Sequence, residues 1–367
     1  MVEKRPIDKL SIKGFKSLQN VELELGRLNV LIGPNGAGKS NLVSYFRMLI
    51  EMLGGRLQVW VAKRGGANRL LTFGANRTSE LTTRIHFDDM FYEICLEPTD
   101  EDRLIFTEER FSDHASRRSY SHGMVTGKEE AQIHSNLLLN TPRPVGRIIH
   151  HSMSNWRVYH FHDTGETAPA KFTGSLHVHR YLRPDGSNLA AYLYWLKHFH
   201  ANTYNQILNT VRLAVPFLAD FELEPNKISA DESTIQFMWL QNDSDYPFLA
   251  SQLSDGSLRF ICLVTALLQP DPPSTIIFDE PELGLHPYAI HLLGALLRSA
   301  SQRMQVIVAT QSPLLLDEFD VDDLIVVELE NGVSVFKRLE EEKFDEWLKD
   351  FSVGELWFKN VLGGGIP

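Results

Sequence analysis

One glycine-rich segment of the sequence has the spacing of a phosphate-binding loop. It reads G-x-x-x-x-G-K-S and runs from Gly33 to Ser40. Glycines let the backbone turn its N–H groups towards phosphate oxygens, while the lysine would reach the β- and γ-phosphates and the serine hydroxyl would ligate Mg²⁺. The residues expected to contact a nucleotide here are Gly33, Asn35, Gly36, Gly38, Lys39, Ser40 and Asn41.

A second candidate site is a pair of adjacent carboxylates. Asp279 and Glu280 follow an apolar run at 275–278 that is predicted to be a buried strand. A carboxylate at such a strand end can hold Mg²⁺, and its neighbour can polarise the water that attacks a γ-phosphate. The same two acids could form a simple solvated turn, but the phosphate loop upstream favours Asp279 as a metal ligand and Glu280 as the catalytic base.

A third motif, Leu-Ser-Asp-Gly at residues 253–256, stands shortly before the carboxylates. Ser254 is suited to cap a helix N-terminus, and Gly256 leaves space at the first turn of that helix. Alone, the segment predicts only a capped helix of the core. Its position is more informative, because the phosphate loop, more than half the chain, this motif and the Asp-Glu pair follow one another in that order.

Periodicity and turn residues predict an α/β protein around these motifs. Strands are predicted at residues 21–25, 28–32, 81–87, 90–96, 103–111, 156–161, 275–278 and 305–310, with a hairpin turn at 331–332. Helices are predicted at residues 42–53, 189–196, 207–217, 287–300 and 354–362, and a further helix, capped by Ser254, is predicted to run through residues 261–268. The alternation of strand and helix in the last third indicates a parallel core sheet.

Together the motifs resemble those of ABC-type ATPases. The segments LSDGS at 253–257 and IIFDEPELGLHP at 276–287 are similar to the signature and Walker B motifs of that class. The DEPELGLHP form, with GFKS at 14–17 and GKSN at 38–41, resembles the RecF, SMC and OLD branch, whereas a transporter ATPase fits poorly. The resemblance covers roughly residues 10–46 and 252 to the end of the chain.

The fold that this resemblance implies is an ABC-type ATPase head, in which a P-loop core sheet is joined by an antiparallel β-lobe and a helical lobe. We expect residues 1–111 to carry Walker A and the β-lobe, 112–250 the polar insert and helical lobe, and 251–367 the signature, Walker B and switch motifs. No long coiled coil is expected, because heptad repeats do not persist.

The resemblance also implies that ATP, with Mg²⁺, joins two chains into a homodimer or a higher homo-oligomer. Each ATP would lie on Lys39 and Ser40 of one protomer and meet Ser254 and Gly256 of the other. Gln311 occupies the switch position, usually a histidine in this superfamily, and would sense the γ-phosphate. Because glutamine cannot titrate, we expect slow hydrolysis.

Two parts of such a system are harder to place. The Mg²⁺-binding glutamine loop of the family has only His162 or Asp163 as candidate counterparts, and ordinary loop residues are an equal alternative. OLD nucleases carry a TOPRIM domain after the ATPase, and this chain has no room for one. A nuclease effector is therefore expected on a separate polypeptide.

Two functions follow from this interpretation. The first is an ATPase whose ATP-driven dimer cycle serves DNA repair or anti-phage defence. The second is a scaffold or sensor that binds ATP, rarely cleaves it, oligomerises and restrains a separate effector. Gln311 and the acidic composition favour the scaffold, whereas the intact Asp279 and Glu280 pair favours the enzyme.

The amino-acid composition limits the classes of partner that the chain is expected to bind. A formal net charge of -11 over 367 residues excludes a generally basic nucleic-acid-binding surface, so DNA contact would need a local patch. Candidates for that patch are Arg117, Arg118, Arg143 and Arg147, which could instead pair with local acids. With no disulfide framework, signal peptide or membrane-spanning apolar run, a cytoplasmic protein is expected.

Two weaker patterns have competing interpretations. Eight of the fourteen histidines fall between His150 and His200, where H-x-H pairs on a strand could bind zinc, although solvated or phosphate-facing histidines are the better interpretation. The amphipathic segment at 354–362 could dock on the head or bind a partner.

Overall fold

A computed structural model describes residues 4–113, 118–121, 127–133, 145–161, 165–178, 181–229 and 232–364. Its strands are β1 (Lys9–Phe15), β2 (Leu18–Glu24), β3 (Leu28–Ile32), β4 (Leu81–Phe87), β5 (Met90–Pro98), β6 (Leu104–Asp113), β7 (Arg118–Ser121), β8 (Arg157–Tyr159), β9 (Gly174–Ser175), β10 (Leu218–Glu222), β11 (Asn226–Lys227), β12 (Ser233–Ile235), β13 (Met238–Gln241), β14 (Pro247–Leu249), β15 (Thr275–Asp279), β16 (Gln305–Thr310), β17 (Leu324–Glu330) and β18 (Val333–Arg338). Its α-helices are α1 (Lys39–Leu53), α2 (Leu57–Lys63), α3 (Val145–Ser154), α4 (Leu189–Phe199), α5 (Ala201–Ala214), α6 (Asp255–Leu268), α7 (Pro287–Ser301), α8 (Pro313–Leu316), α9 (Asp345–Leu348) and α10 (Val353–Phe358).

A six-stranded sheet carries the phosphate loop and the carboxylate pair. Its strand order is β18-β17-β3-β16-β15-β8, and neighbours run parallel except in the hairpin of β17 and β18. The central strands are continuous apolar runs because both faces of the sheet are covered. Since parallel strands end at the same edge, the segments after β3, β15 and β16 meet there.

Alternate residues of this sheet belong to two hydrophobic cores. Val30 packs into one core and Leu31 into the other, as expected from the two-residue period of a strand. The first core contains α4, α5, α6 and α7, and the second contains α1 and the antiparallel sheet of order β2-β1-β4-β5-β6-β7. The predicted core sheet, antiparallel β-lobe and helical lobe are all present, which confirms the fold class.

Several predicted boundaries were wrong for identifiable reasons. Helix α1 begins at Lys39 rather than at 42, because the left-handed Gly38 (φ 114°) ends the loop and the helix starts within the motif itself. Helix α5 begins at Ala201 rather than at 207, since its first turns are mostly polar and exposed. Strand β8 covers 157–159 rather than 156–161, because the His160 N–H leaves the sheet and donates to the Pro184 carbonyl (3.0 Å).

The C-terminal helix docks on the head, which is the first of the two interpretations of its sequence. Helix α10 is shorter than predicted, and its Leu356 is fully buried. The Gly354 N–H donates to Asp317 Oδ1 at 2.7 Å. These contacts attach the end of the chain to the segment that follows the predicted switch residue.

The possible zinc site in the histidine-rich segment receives no support from the described residues. In the described part of the chain, no group of three or more His, Cys, Asp or Glu side chains is placed to hold a metal ion. His198 lies on α4 rather than on a strand, and its Nδ1 is 2.8 Å from the Tyr194 carbonyl oxygen.

Of the four arginines of the candidate DNA patch, Arg117 and Arg143 lie outside the described residues. None of the described helices is long and apolar enough to cross a membrane.

Candidate ATP-binding site

The phosphate loop takes a conformation that depends on glycine. Gly36 and Gly38 have φ of 82° and 114°, in the left-handed region that other residues rarely adopt. A Cβ atom on Gly38 would also overlap the Ser334 hydroxyl on β18. The loop therefore requires glycine at this position for both backbone conformation and space.

Polar side chains from distant segments support the loop from behind. Ser334 Oγ donates to the Ala37 carbonyl (2.6 Å) and lies 2.7 Å from Ser17 Oγ. Asn41 Nδ2 donates to the same Ser17 hydroxyl at 2.7 Å. Asn41 is thus directed towards this support, and its contact with nucleotide stays a prediction.

Lys39 is buried within the loop that it belongs to, with an exposure of 5%. Its ammonium group donates to the carbonyls of Gly33 (2.5 Å) and Pro34 (3.1 Å). Burial lowers the pKa of Lys39, while the nearby carboxylates of Glu280, Asp279 and Glu282 oppose that shift. A poorly hydrated cation at this position is well placed to attract phosphate oxygens.

Ser40 and Asp279 meet across the sheet edge as predicted. Ser40 Oγ donates to Asp279 Oδ1 at 3.3 Å. Neighbouring oxygen ligands of an octahedral Mg²⁺ lie about 3 Å apart, so this pair of hard oxygen donors fits the ion. These two residues would hold Mg²⁺, and the ion would supply positive charge against the phosphates of the nucleotide.

Glu280 is held in an unusual conformation directly after β15. Its φ is 44°, and its N–H donates to the Ala309 carbonyl of β16 at 2.8 Å. Gln311 Nε2 donates to Glu280 Oε1 (2.5 Å) and to Asn35 Oδ1 (2.7 Å). Gln311 therefore connects Glu280 with the phosphate loop, while its role in sensing the γ-phosphate stays a prediction.

Glu282 also belongs to this cluster, although sequence reasoning missed it. The side chain is 8% exposed, and its Oε1 accepts a hydrogen bond from Thr310 Oγ1 (2.5 Å), while Oε2 has no hydrogen-bond partner. Burial raises the pKa of Glu282. The sequence offered one signal for Glu282, namely a second acid two residues after Glu280. The direction of the Glu282 side chain, however, is set by the turn that follows β15.

Arg47 is the other charged residue that sequence reasoning missed. It lies seven residues after Ser40 and so on the same face of α1, two turns further on. Burial lowers the pKa of Arg47, and the negative charge of Asp279 partly opposes this. One of its guanidinium nitrogens, Nη2, is buried without a hydrogen-bond partner.

The signature residues stand apart from this cluster. Ser254 caps α6 as predicted, and its Oγ accepts from the Ser257 N–H at 3.1 Å. The backbone of Gly256 packs so closely on the Gly284 carbonyl that a Cβ atom would not fit. In the described structure the exposed Ser254 side chain bonds only to Ser257, so one chain does not bring it to Lys39.

The candidate glutamine-loop residues, His162 and Asp163, lie outside the described residues. The loop is anchored just before them, because the buried Arg259 of α6 donates from Nε to the Phe161 carbonyl at 2.8 Å. This bond connects the signature helix with the segment that leaves the core sheet after β8.

A parallel core sheet with this loop, carboxylate pair and capped signature helix defines an ABC-type ATPase of the RecF, SMC and OLD branch. More narrowly, the chain belongs to the family described as "AAA domain, putative AbiEii toxin, Type IV TA system", whose model matches residues 28–317. The protein is therefore an ATP-binding ATPase of that family.

Individual relatives match parts of the chain. An OLD nuclease of Thermus scotoductus is 33% identical over 84 residues, which are 22% of this chain and 14% of the relative. The Nod factor export ATP-binding protein I of Rhizobium meliloti is 36% identical over 96 residues, 26% of this chain and 28% of the relative. The matched segments thus span under a third of each of these two relatives.

Solved structures match nearly the whole chain at the level of fold. The Smc head in the crystal structure with the C-winged helix domain of ScpA has a TM-score of 0.60 at 16% identity, covering 93% of this chain and 99% of the other. An Smc head with an extended coiled coil, bound to the C-terminal domain of ScpA from Pyrococcus furiosus, has a TM-score of 0.56 at 14% identity, with coverages of 94% and 99%.

Replacing Gln311 by Ala is expected to lower ATP turnover about tenfold or more with little change in ATP affinity. The substitution removes the amide that holds Glu280 against Asn35, and so releases the base without touching Lys39. Steady-state phosphate release and calorimetric ATP titration would measure both quantities, with Gln302→Ala at the exposed end of α7 as the matched control. Unchanged turnover would show that Gln311 has no part in hydrolysis.

Proposed function

We propose that the protein is an ATPase whose ATP-dependent dimerisation gates a separate effector in DNA repair or anti-phage defence. The observation that supports this most strongly is the separation of the site into two parts. Lys39, Asp279 and Gln311 meet at one sheet edge, whereas Ser254 faces solvent on another element. A second chain that supplies Ser254 would complete the site.

The chemistry of the proposed site follows from the contacts of each residue. Lys39 and the N–H groups of the loop would bind the β- and γ-phosphates, and Ser40 and Asp279 would hold Mg²⁺. Glu280 would accept a proton from the attacking water, with Gln311 positioning the carboxylate. The capped start of α6 would present N–H groups and a favourable dipole to the γ-phosphate of the partner's ATP.

Hydrolysis would then convert chemistry into motion. The γ-phosphate is the charge that both chains would share, so its loss would remove the contact between Ser254 and the opposite phosphate loop. The heads would part, and the surface offered to an effector would change with them. ATP would therefore hold two copies of the chain together until it is hydrolysed.

A slowly hydrolysing scaffold is the second candidate function, and one contact favours it. Gln311 Nε2 donates directly to Glu280 Oε1, the carboxylate that must accept a proton. This bond occupies a carboxylate oxygen that would otherwise face the attacking water. Such a contact is consistent with slow turnover and a long-lived ATP-bound assembly.

The relatives support a separate effector in either case. One relative is named as an OLD nuclease, the family description refers to a putative toxin, and the matching Smc heads were solved in complex with domains of ScpA. We infer that this head likewise acts on a partner, and a TOPRIM-type nuclease on a separate polypeptide is one such partner. Direct binding of DNA is also part of the proposal, with DNA as the stimulus for turnover.

Mixing two inactive variants tests the shared site. Lys39→Ala destroys the phosphate loop of one chain, and Ser254→Arg blocks the signature of the other. A mixed dimer retains one intact composite site, so an equimolar mixture is expected to recover up to about a quarter of the wild-type turnover. Steady-state phosphate release measures this recovery.

The control is a mixture of the single variant Lys39→Ala with a double variant that carries both Lys39→Ala and Ser254→Arg. Every chain in this mixture lacks Lys39, so no intact site can form. That pair must stay inactive if the sites are shared as proposed. Full activity of Ser254→Arg alone, or no recovery when the single variants are mixed although each binds its partner, would contradict a site completed by Ser254 of a second chain.

A further inference from the structure

A cleft beside the candidate ATP site is lined by arginine and aromatic side chains. It lies between α1, α2 and the segment after β8, and its volume is about 550 Å³. The arginines that line it are Arg47, Arg56, Arg64, Arg157 and Arg183. Two carboxylates, Glu51 and Asp185, share the cleft, so the local charge is positive on a chain whose net charge is -11.

Most of this positive charge is not neutralised by neighbouring acids. Arg56 pairs with Glu51 (Nε to Oε2, 2.6 Å), but Arg64 and Arg183 form no ion pair with any carboxylate of the described residues. Arg47 Nη2 is buried without a hydrogen-bond partner. Burial lowers the pKa of Arg47, and repulsion by the nearby positive charge of Arg64 lowers it further. An anion in the cleft would relieve this repulsion.

Aromatic rings orient two of the arginines. The guanidinium of Arg64 lies 5.6 Å from the centre of the Trp60 ring, and that of Arg157 lies 4.4 Å from the centre of the Tyr181 ring. A guanidinium held over a ring keeps the N–H groups of its edge available for phosphate oxygens. The Tyr181 side chain is also 44% exposed and offers a surface on which a base can stack.

We propose that this cleft binds a small nucleotide carrying more than one phosphate group, separately from the ATP that Lys39 and Ser40 would bind. Its volume lies in the range of small-molecule pockets, which favours a compact ligand over a nucleic-acid strand. Several unpaired guanidinium groups match more than one phosphate, and the tyrosine matches a base. This site goes beyond the proposed function and does not depend on hydrolysis.

Calorimetry with adenosine 3′,5′-bisphosphate tests the proposal, because this probe has a base and two separate phosphates but no triphosphate chain. The protein is first saturated with Mg²⁺ and a non-hydrolysable ATP analogue, so that the candidate ATP site is filled. We expect one bisphosphate per chain. Arg64→Gln and Arg183→Gln are each expected to weaken binding about tenfold, and the double variant about a hundredfold.

Arg69→Gln is the matched control, since Arg69 is exposed near α2 but does not line the cleft. It should leave the affinity unchanged, and thermal melting should show that all variants fold. Absence of bisphosphate binding, or equal affinity in the double variant, would overturn the proposal. Binding of single-stranded oligo-dT that depends on Arg64 and Arg183, without binding of the bisphosphate, would also overturn it and assign the cleft to nucleic acid.

Discussion

Replacing Glu280 by Gln is expected to reduce ATP turnover about a hundredfold or more while leaving ATP binding intact. The amide has the shape of the carboxylate and keeps an oxygen for the Gln311 contact, but it cannot accept a proton from water. Lys39, Ser40 and Asp279 keep their positions, so the phosphates and Mg²⁺ should still bind. Phosphate release and calorimetric ATP titration would measure the two effects separately.

Glu101→Gln is a suitable control for this substitution, because Glu101 is exposed on a turn before β6, far along the chain from the site. It should not change either quantity. If Glu280→Gln kept turnover within a few-fold of the wild type, Glu280 would not be the base, and the neighbouring acid Glu282 would be the next candidate.

Replacing Lys39 by Ala is expected to weaken ATP binding about a hundredfold or more, since charge-assisted bonds to two phosphates are lost at a buried position. Nothing else in the loop provides a cation there. Burial already lowers the pKa of Lys39, so removing the ammonium group should not unfold the protein. Titration with a fluorescent ATP analogue and thermal melting would measure the two properties.

Lys63→Ala at the exposed end of α2 provides a matched loss of one lysine. Its ATP affinity should equal that of the wild type. Retention of ATP binding by Lys39→Ala, in a protein that melts normally, would contradict the assignment of the phosphate loop.

The parts of the fold that sequence could predict are those with strong local signals. The strands at 28–32, 81–87 and 305–310 have the predicted bounds, because each is a short apolar or alternating run. Parallel order then places Gly33, Glu280 and Gln311 at one sheet edge, since strands β3, β15 and β16 are neighbours. The site could be anticipated because its motifs follow directly from strand ends.

The parts that could not be predicted depend on contacts between distant segments. Ser334, which supports the phosphate loop, bonds to Ser17 across a sequence separation of 317 residues. No local pattern distinguishes Ser334 from other polar residues of a hairpin. The arginines of the cleft lie between residues 47 and 183, and only the fold brings them together. The burial of Glu282 could not be predicted for the same reason, because it results from the packing of the turn after β15 on Thr310.

The measurement that tests the central claim most directly is the native mass of Glu280→Gln, by light scattering, with and without Mg-ATP. This variant should retain ATP, so we expect a monomer that becomes a dimer only when ATP is added. Adding Ser254→Arg to the same chain should keep it monomeric. A native mass that does not change when ATP is added, or a higher oligomer that forms without nucleotide, would contradict the claim that ATP joins two chains. Either result would favour the scaffold.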